Sequence, residues 1–116
     1  MISIVICHHK GRDLLLRSVN SLLKSEKVDF EIFIATSDDT LKHVNGAKVL
    51  QIKGGPANKR NVASRFANGE YIAFFDDDIE ATPYALFYML QELKKEGVGC
   101  VFGKLLNMEF RNRFDC

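Results

Sequence analysis

Cysteine is scarce and scattered. Cys7, Cys100 and Cys116 are odd in number, far apart and without a Cys-x-x-Cys pair, which argues against both a disulfide framework and a thiolate metal site. Three reduced thiols are expected, Cys7 and Cys100 inside strands. Long apolar runs are lacking too: Ile4-Val5-Ile6-Cys7 and Ala73-Phe74-Phe75 fall far short of the ~20 residues needed to span a bilayer. The opening Met-Ile-Ser-Ile-Val has neither the basic region nor the small-residue cleavage site of a secretory leader. These absences lead to the expectation of a cytoplasmic chain with no transmembrane segment, contact with a membrane surface being left open.

A dominant charge is also missing. Charged residues make up 27% of the chain but the formal net charge is +1, so no global field draws it to nucleic acid or to an anionic membrane. Any charge-based function must be local. There is no internal repeat, linker or low-complexity tract, and 116 residues with 47% apolar content suit one domain with one core.

What the sequence does hold is an alternation of strand and helix patterns. Residues 2–7 are β-branched and almost continuously apolar, as in a strand covered on both faces. From Asp13 to Lys24 the apolar positions Leu15, Val19, Leu22 and Leu23 trace one helical face. Strands are expected at Phe30–Thr36 and Lys48–Ile52, broken by Gly54-Gly55-Pro56. A helix over Asn58–Ala67 offers Val62, Ala63, Phe66 and Ala67 as its apolar face and ends at Asn68-Gly69. A strand over Glu70–Phe75 follows; Thr82 is then read as the N-cap, with Pro83 in the first turn, of a helix lined by Leu86, Leu90 and Leu93 and ending at Gly97. Val98–Phe102 reads as a fifth strand, and Lys104–Cys116 shows no period.

This order predicts an α/β fold, a Rossmann-like, mostly parallel sheet flanked by helices. Ligands in such sheets sit beyond the carboxyl ends of the strands, where strand order reverses. That rule selects Cys7–Gly11, Thr36–Thr40 and Asp76–Asp78. Adjacent carboxylates repel one another, and a divalent cation is the natural compensator for Asp76, Asp77 and Asp78. If the strand stays extended, Asp76 and Asp78 share one side and Asp77 takes the other. Mg²⁺ or Mn²⁺ takes oxygen ligands, commonly one or two carboxylates plus substrate phosphates. Asp78 is thus the expected metal ligand, with Asp76 beside it as a second ligand or a partner of the ribose or of a metal-bound water. The plain alternative is an exposed acidic turn. Upstream, the glycine turn into a helix start, with Lys59, Arg60 and Arg65, is a potential phosphate cradle. His8 and His9 are read as a polar loop at the base or ribose, and Asp38 and Asp39 as either a base contact or a solvated turn. Tyr84, Phe87 and Tyr88 are read as core or interface rather than a binding platform.

Three blocks, Ile2–Ile6, Gly55-Pro56-Ala57 through Arg60-Asn61, and Gly69–Asp78, together resemble the family 2 glycosyltransferases of the GT-A fold. The last is the most specific, being similar to the family's strand that ends in an Asp-x-Asp motif. The resemblance implies a metal-dependent transfer of sugar from a nucleotide-diphosphate donor (UDP-, dTDP- or GDP-sugar) to a hydroxyl on a glycan or lipid-linked acceptor, in glycan or cell-surface polysaccharide synthesis. It puts Asp76 and Asp78 at the motif's two acidic positions, with the metal offsetting charge on the departing diphosphate. Arg60, Asp77, Asp38, His8 and His9 are the accompanying nucleotide-sugar candidates. The loops Cys7-His8-His9-Lys10 and Thr36-Ser37-Asp38-Asp39 depart from the family's Pro-x-Tyr-Asn and Asp-Asp-Gly-Ser, so base identity is not fixed by the resemblance. The family's catalytic base lies later in its chains, so it is expected beyond Cys116, the chain reading as the nucleotide-binding part of a truncated domain and inactive alone. The rival is a non-catalytic nucleotide-binding or interaction module of the same fold. A sugar nucleotidyltransferase would open with a Gly-rich loop, and a phosphoaspartate receiver with an acidic pair after its first strand; Cys7–Gly11 is neither.

Overall fold

A computed structural model of the chain describes residues 1–95. The expected stop at Gly97, the strand at Val98–Phe102 and the segment Lys104–Cys116 lie outside the described residues. Seven elements follow in order: β1 (Ile2–His8), α1 (Asp13–Leu23), β2 (Phe30–Thr36), β3 (Lys48–Gln51), α2 (Pro56–Ser64), β4 (Tyr71–Asp76) and α3 (Ala85–Leu93).

The four described strands are parallel, in the order β3-β2-β1-β4. After β3 the chain crosses back through α2 and lays β4 on the far side of β1. Strand order therefore reverses at β1. Its register pairs His8 with Thr36 on one side and Cys7 with Asp76 on the other, so the ends of three strands meet at one level.

Alternation along the strands divides the core. Ile2, Ile4 and Ile6 of β1 and Ile32 and Ile34 of β2 pack with Leu15, Val19 and Leu22 of α1 and Leu86 of α3. On the opposite face Val5 and Ala35 meet Ala63 and Val62 of α2, together with Ile52 and Phe74. Both faces are covered, which is why β1 reads as a continuous apolar run. Ile4→Val removes one methylene from this close-packed layer. Its urea midpoint is expected to fall by about 0.5–1.5 kcal/mol equivalent with an unchanged slope.

Several local expectations are corrected. Leu23 is exposed, and lies over Gly46 where a Cβ would meet its side chain at 2.7 Å. α2 begins at Pro56 and ends at Ser64, and its buried residues are Lys59 and Ala63, while Phe66 is 53% exposed. Asn68-Gly69 does not end that helix but forms the crossing into β4, where a Cβ on Gly69 would sit 2.6 Å from the Met1 carbonyl oxygen. Thr82 is not an N-cap. The Ala85 amide bonds the Thr82 carbonyl, making Thr82–Ala85 a turn with Pro83 in its favoured second position, and α3 starts only at Ala85. Of the core and interface readings of Tyr84 and Tyr88 the core one falls, because both are exposed, with Lys27 over the Tyr84 and Phe87 rings.

Candidate functional site

The carboxyl ends of β1 and β2 are joined by a chain of hydrogen bonds whose direction can be read. The Asp38 amide, which can only donate, lies 2.9 Å from Thr36 Oγ1, and Thr36 Oγ1 lies 2.7 Å from His8 Nδ1. At the other side of the ring His8 Nε2 is 2.5 Å from the Gly11 carbonyl oxygen, which can only accept. A neutral His8 with its proton on Nε2 satisfies every member. Gly11 adopts φ +92°, a conformation costly for other residues, and so turns its carbonyl back to the ring. His8 is therefore the last residue of β1 rather than part of a loop. It is 2% exposed with both nitrogens engaged, and shapes the strand end instead of reaching out from it. His9 is exposed, its Nδ1 3.1 Å from Ser37 Oγ.

Asp38 is partly buried and folded onto its own turn, accepting from the Thr40 amide at 3.0 Å and the Thr40 hydroxyl at 2.6 Å. Those two bonds hold its carboxyl below the ordinary aspartate range. Gln51 Nε2 donates to the carbonyls of Asp38 and Leu41 and fastens the turn to the end of β3.

Lys59 is placed unlike any solvated helix lysine. Only 4% exposed, it passes beneath the strand ends and its Nζ donates to the His8 carbonyl at 2.8 Å and to Ser37 Oγ at 3.1 Å. Arg60, the next residue, has a guanidinium 5.9 Å from the Phe74 ring and a buried Nε with no hydrogen-bond partner. Arg65 caps the opposite end of α2 and is exposed, so it does not join Lys59 and Arg60 at the strand ends.

β4 delivers the aspartates to this edge. The strand ends at Asp76 and the chain turns at Asp77 and Asp78, so the alternation expected of an extended run does not carry through the motif. Asp76 extends the face of Phe74 toward Cys7, whose thiol is pushed up by burial, against the opposing pull of Arg60 and Lys59. Asp77 is half-buried, and burial pushes its carboxyl up, Asp78 and Asp76 acting in the same direction. It also lines a cavity of about 270 Å³ with His8, Lys10, Gly11, Arg12 and Asp13. Asp78 is exposed. A larger hollow of about 450 Å³ lies between α1 and the segment after β4, edged by the Arg17–Glu80 ion pair at 2.9 Å. None of its lining residues belongs to the three strand ends, so the smaller cavity is the relevant one.

Among the described residues no three His, Cys, Asp or Glu side chains gather as a closed metal site. The donors that are present, carboxylate oxygens gathered where burial, with their neighbours, pushes the Asp77 carboxyl up, fit a hard cation that completes its shell with phosphate and water.

The family profile described as "Glycosyl transferase family 2" matches residues 3–111. The chain belongs to that family. Among curated relatives of this family 2 chain is the Escherichia coli UDP-Glc:alpha-D-GlcNAc-diphosphoundecaprenol beta-1,3-glucosyltransferase WfaP, 32% identical over 67% of the chain and 35% of the relative. Another is Staphylococcus aureus TarS, a poly(ribitol-phosphate) beta-N-acetylglucosaminyltransferase, 31% identical over 66% of the chain and 16% of the relative. The family 2 chain thus spans about a third or less of their lengths. Among solved structures, S. aureus TarS superimposes with a TM-score of 0.66 at 27% identity, over 79% of the chain and 19% of TarS. The Pyrobaculum calidifontis mannosyltransferase PcManGT, in complex with GDP-Man and Mn²⁺, gives 0.74 at 18% identity over 86% of the chain and 35% of its own, a likeness of fold. The sheet with its flanking helices is thus of the GT-A type.

Proposed function

We propose that this family 2 chain is the donor-binding part of a metal-dependent glycosyltransferase, which moves a sugar from a nucleotide diphosphate to a hydroxyl acceptor in cell-surface glycan synthesis. The observation that carries the reading is the arrival of the Asp76–Asp78 turn at the reversal of strand order, beside the unpaired buried Nε of Arg60. Names of relatives support it: they include a UDP-glucose glucosyltransferase acting on a diphosphoundecaprenol-linked sugar and a transferase acting on poly(ribitol-phosphate). The bound GDP-Man and Mn²⁺ of PcManGT, and UDP-GlcNAc in a TarS structure, support a nucleotide sugar with a divalent cation. No helix among the described residues is long and apolar enough to cross a membrane. A cytoplasmic protein meeting its acceptor at a membrane surface agrees with the lipid-linked acceptors of such relatives.

Each residue has a task in this reading. Asp78, with Asp76, holds Mn²⁺ or Mg²⁺, which when bound offsets negative charge on the diphosphate. Arg60, partly exposed, offers its guanidinium to a diphosphate oxygen, and the amides at the start of α2 face the same edge. Asp77 closes the cavity floor against His8, and Asp38 and His9 lie toward the nucleoside. Calorimetric titration of UDP, GDP and dTDP into the chain with Mn²⁺, and again with excess chelator, tests the assignment. Binding of one nucleotide with Mn²⁺ that is lost on chelation is expected. Affinity that ignores the chelator would remove the metal, and binding of none of the three would remove the donor.

A further inference from the structure

An ammonium group only donates hydrogen bonds, and a serine hydroxyl has a single proton to give. At the 3.1 Å contact between Lys59 Nζ and Ser37 Oγ the serine oxygen is therefore the acceptor. Ser37 Oγ is also 3.1 Å from His9 Nδ1. Ser37 Oγ keeps a second lone pair, but accepting from an ammonium polarises the hydroxyl into a better donor and a poorer acceptor, which favours giving its proton to Nδ1 and leaves that nitrogen bare. The proton of a neutral His9 ring sits on Nε2, and His9 is exposed.

We infer that Lys59 and Ser37 lock His9 in its Nε2–H tautomer, and that this N–H donates to an oxygen of the nucleobase or ribose of the nucleotide sugar. The second half rests on the donor reading above. Position selects the nucleoside end, because Ser37 draws His9 toward the β2 terminus and Asp38, while the carboxylates and Arg60 that suit a cation and diphosphate lie on the β4 side. A free neutral imidazole shares its proton between two nitrogens. Fixing the donor beforehand spares that ordering at the moment of binding. Lys59, at 4% exposure, does not reach a ligand and is a positioning residue. His8 supplies an internal control, since its tautomer is set separately by Gly11 and Thr36.

Long-range ¹H–¹⁵N spectra of the full chain labelled at histidine, without ligand and at pH about 8.5, above the ordinary imidazole pKa of ~6.5, read the tautomers directly. His9 is expected as Nε2–H in the wild type and in Ser37→Thr, and as a mixture with Nδ1–H in Ser37→Ala and in Lys59→Met, with His8 unchanged in the serine variants. With Mn²⁺, UDP affinity is expected to fall about three- to tenfold in Ser37→Ala, the loss of one aligned hydrogen bond. His9→Gln, which keeps an N–H at the distance of Nε2, should bind better than His9→Asn. Wild-type His9 found as Nδ1–H or as a mixture, or spectra unmoved by Ser37→Ala, would overturn the lock. Spectra that move while UDP affinity holds would overturn the nucleoside contact. Wild type that binds none of UDP, GDP and dTDP would sink the donor reading instead, and the ligand-free spectra would still decide the lock.

Discussion

Asp78→Ala is expected to weaken Mn²⁺-dependent UDP binding by about a hundredfold while leaving the ligand-free fold intact or slightly more stable. The two signs have one origin. Asp78 is exposed, in a turn beyond the end of β4. Its charge raises the pKa of Asp77, a carboxyl already pushed up by burial, so removing it relieves repulsion in the absence of a cation. With a cation the balance inverts, because the carboxylate that was a liability becomes a ligand. Loss of an outer-shell partner typically costs ~10–100-fold in metal affinity, and loss of a direct ligand at least the upper end of that range. Calorimetry of UDP with saturating Mn²⁺ alongside thermal melts of the ligand-free chain checks both signs. Equal affinities in wild type and variant would remove Asp78 from the metal. A large drop in melting temperature would show that it acts on the fold instead.

The relation of this site to the sequence differs from residue to residue. The convergence of Cys7–Gly11, Thr36–Thr40 and Asp76–Asp78 was legible because parallel order and the carboxyl-edge rule suffice to bring three loops together, whatever their contents. The buried face of α2 was not. Apolar periodicity selects Val62, Ala63, Phe66 and Ala67, whereas the helix buries Lys59 and Ala63, also four residues apart. A lysine reads as solvated until it finds acceptors, and its acceptor here is a main-chain carbonyl 51 positions away. His8 escaped for the same reason: its partners Thr36 and Gly11 are plain residues whose value comes from strand register and a left-handed glycine. Thr82 had the composition of a cap, but the carbonyl of Pro83 accepts from the Glu26 amide at 2.8 Å, and that tertiary bond holds the segment as a turn before the helix can begin. Local rules therefore located the loops that meet at the edge better than the groups that support them.

Glu31 is the supporting group with the largest expected effect on stability. It faces Ser3 across the β1–β2 register and accepts from Ser3 Oγ at 2.6 Å, the Asn68 amide at 2.7 Å and Asn68 Nδ2 at 3.0 Å, with Lys48 3.9 Å away. Ser3 Oγ in turn accepts from the Gly69 amide at 2.8 Å. One carboxylate, 13% exposed, thus fixes the crossing from α2 into β4 against the amino ends of β1 and β2. Hydrogen bonds to charged groups contribute ~1.5–3 kcal/mol each but are not additive within a network. Glu31→Ala should therefore cost about 3–4 kcal/mol, and Glu31→Gln less. Burial pushes the Glu31 carboxyl up, but the bonds from Ser3 and Asn68 outweigh it and hold it below the ordinary glutamate range. A carboxyl lowered in the folded state contributes its stability above the unfolded-state pKa, and loses it as pH falls through the folded one. The gap in unfolding free energy between wild type and Glu31→Gln, from urea midpoints, should be full at pH 7 and narrow steadily in the acid range below the ordinary glutamate pKa of ~4.3. Parallel pH curves would refute the assignment. Because β4 starts at this clamp and ends at the aspartates, the same variants should also weaken Mn²⁺-dependent UDP binding from the opposite end of the strand, and binding untouched by a 3 kcal/mol loss would show that β4 keeps its register without Glu31.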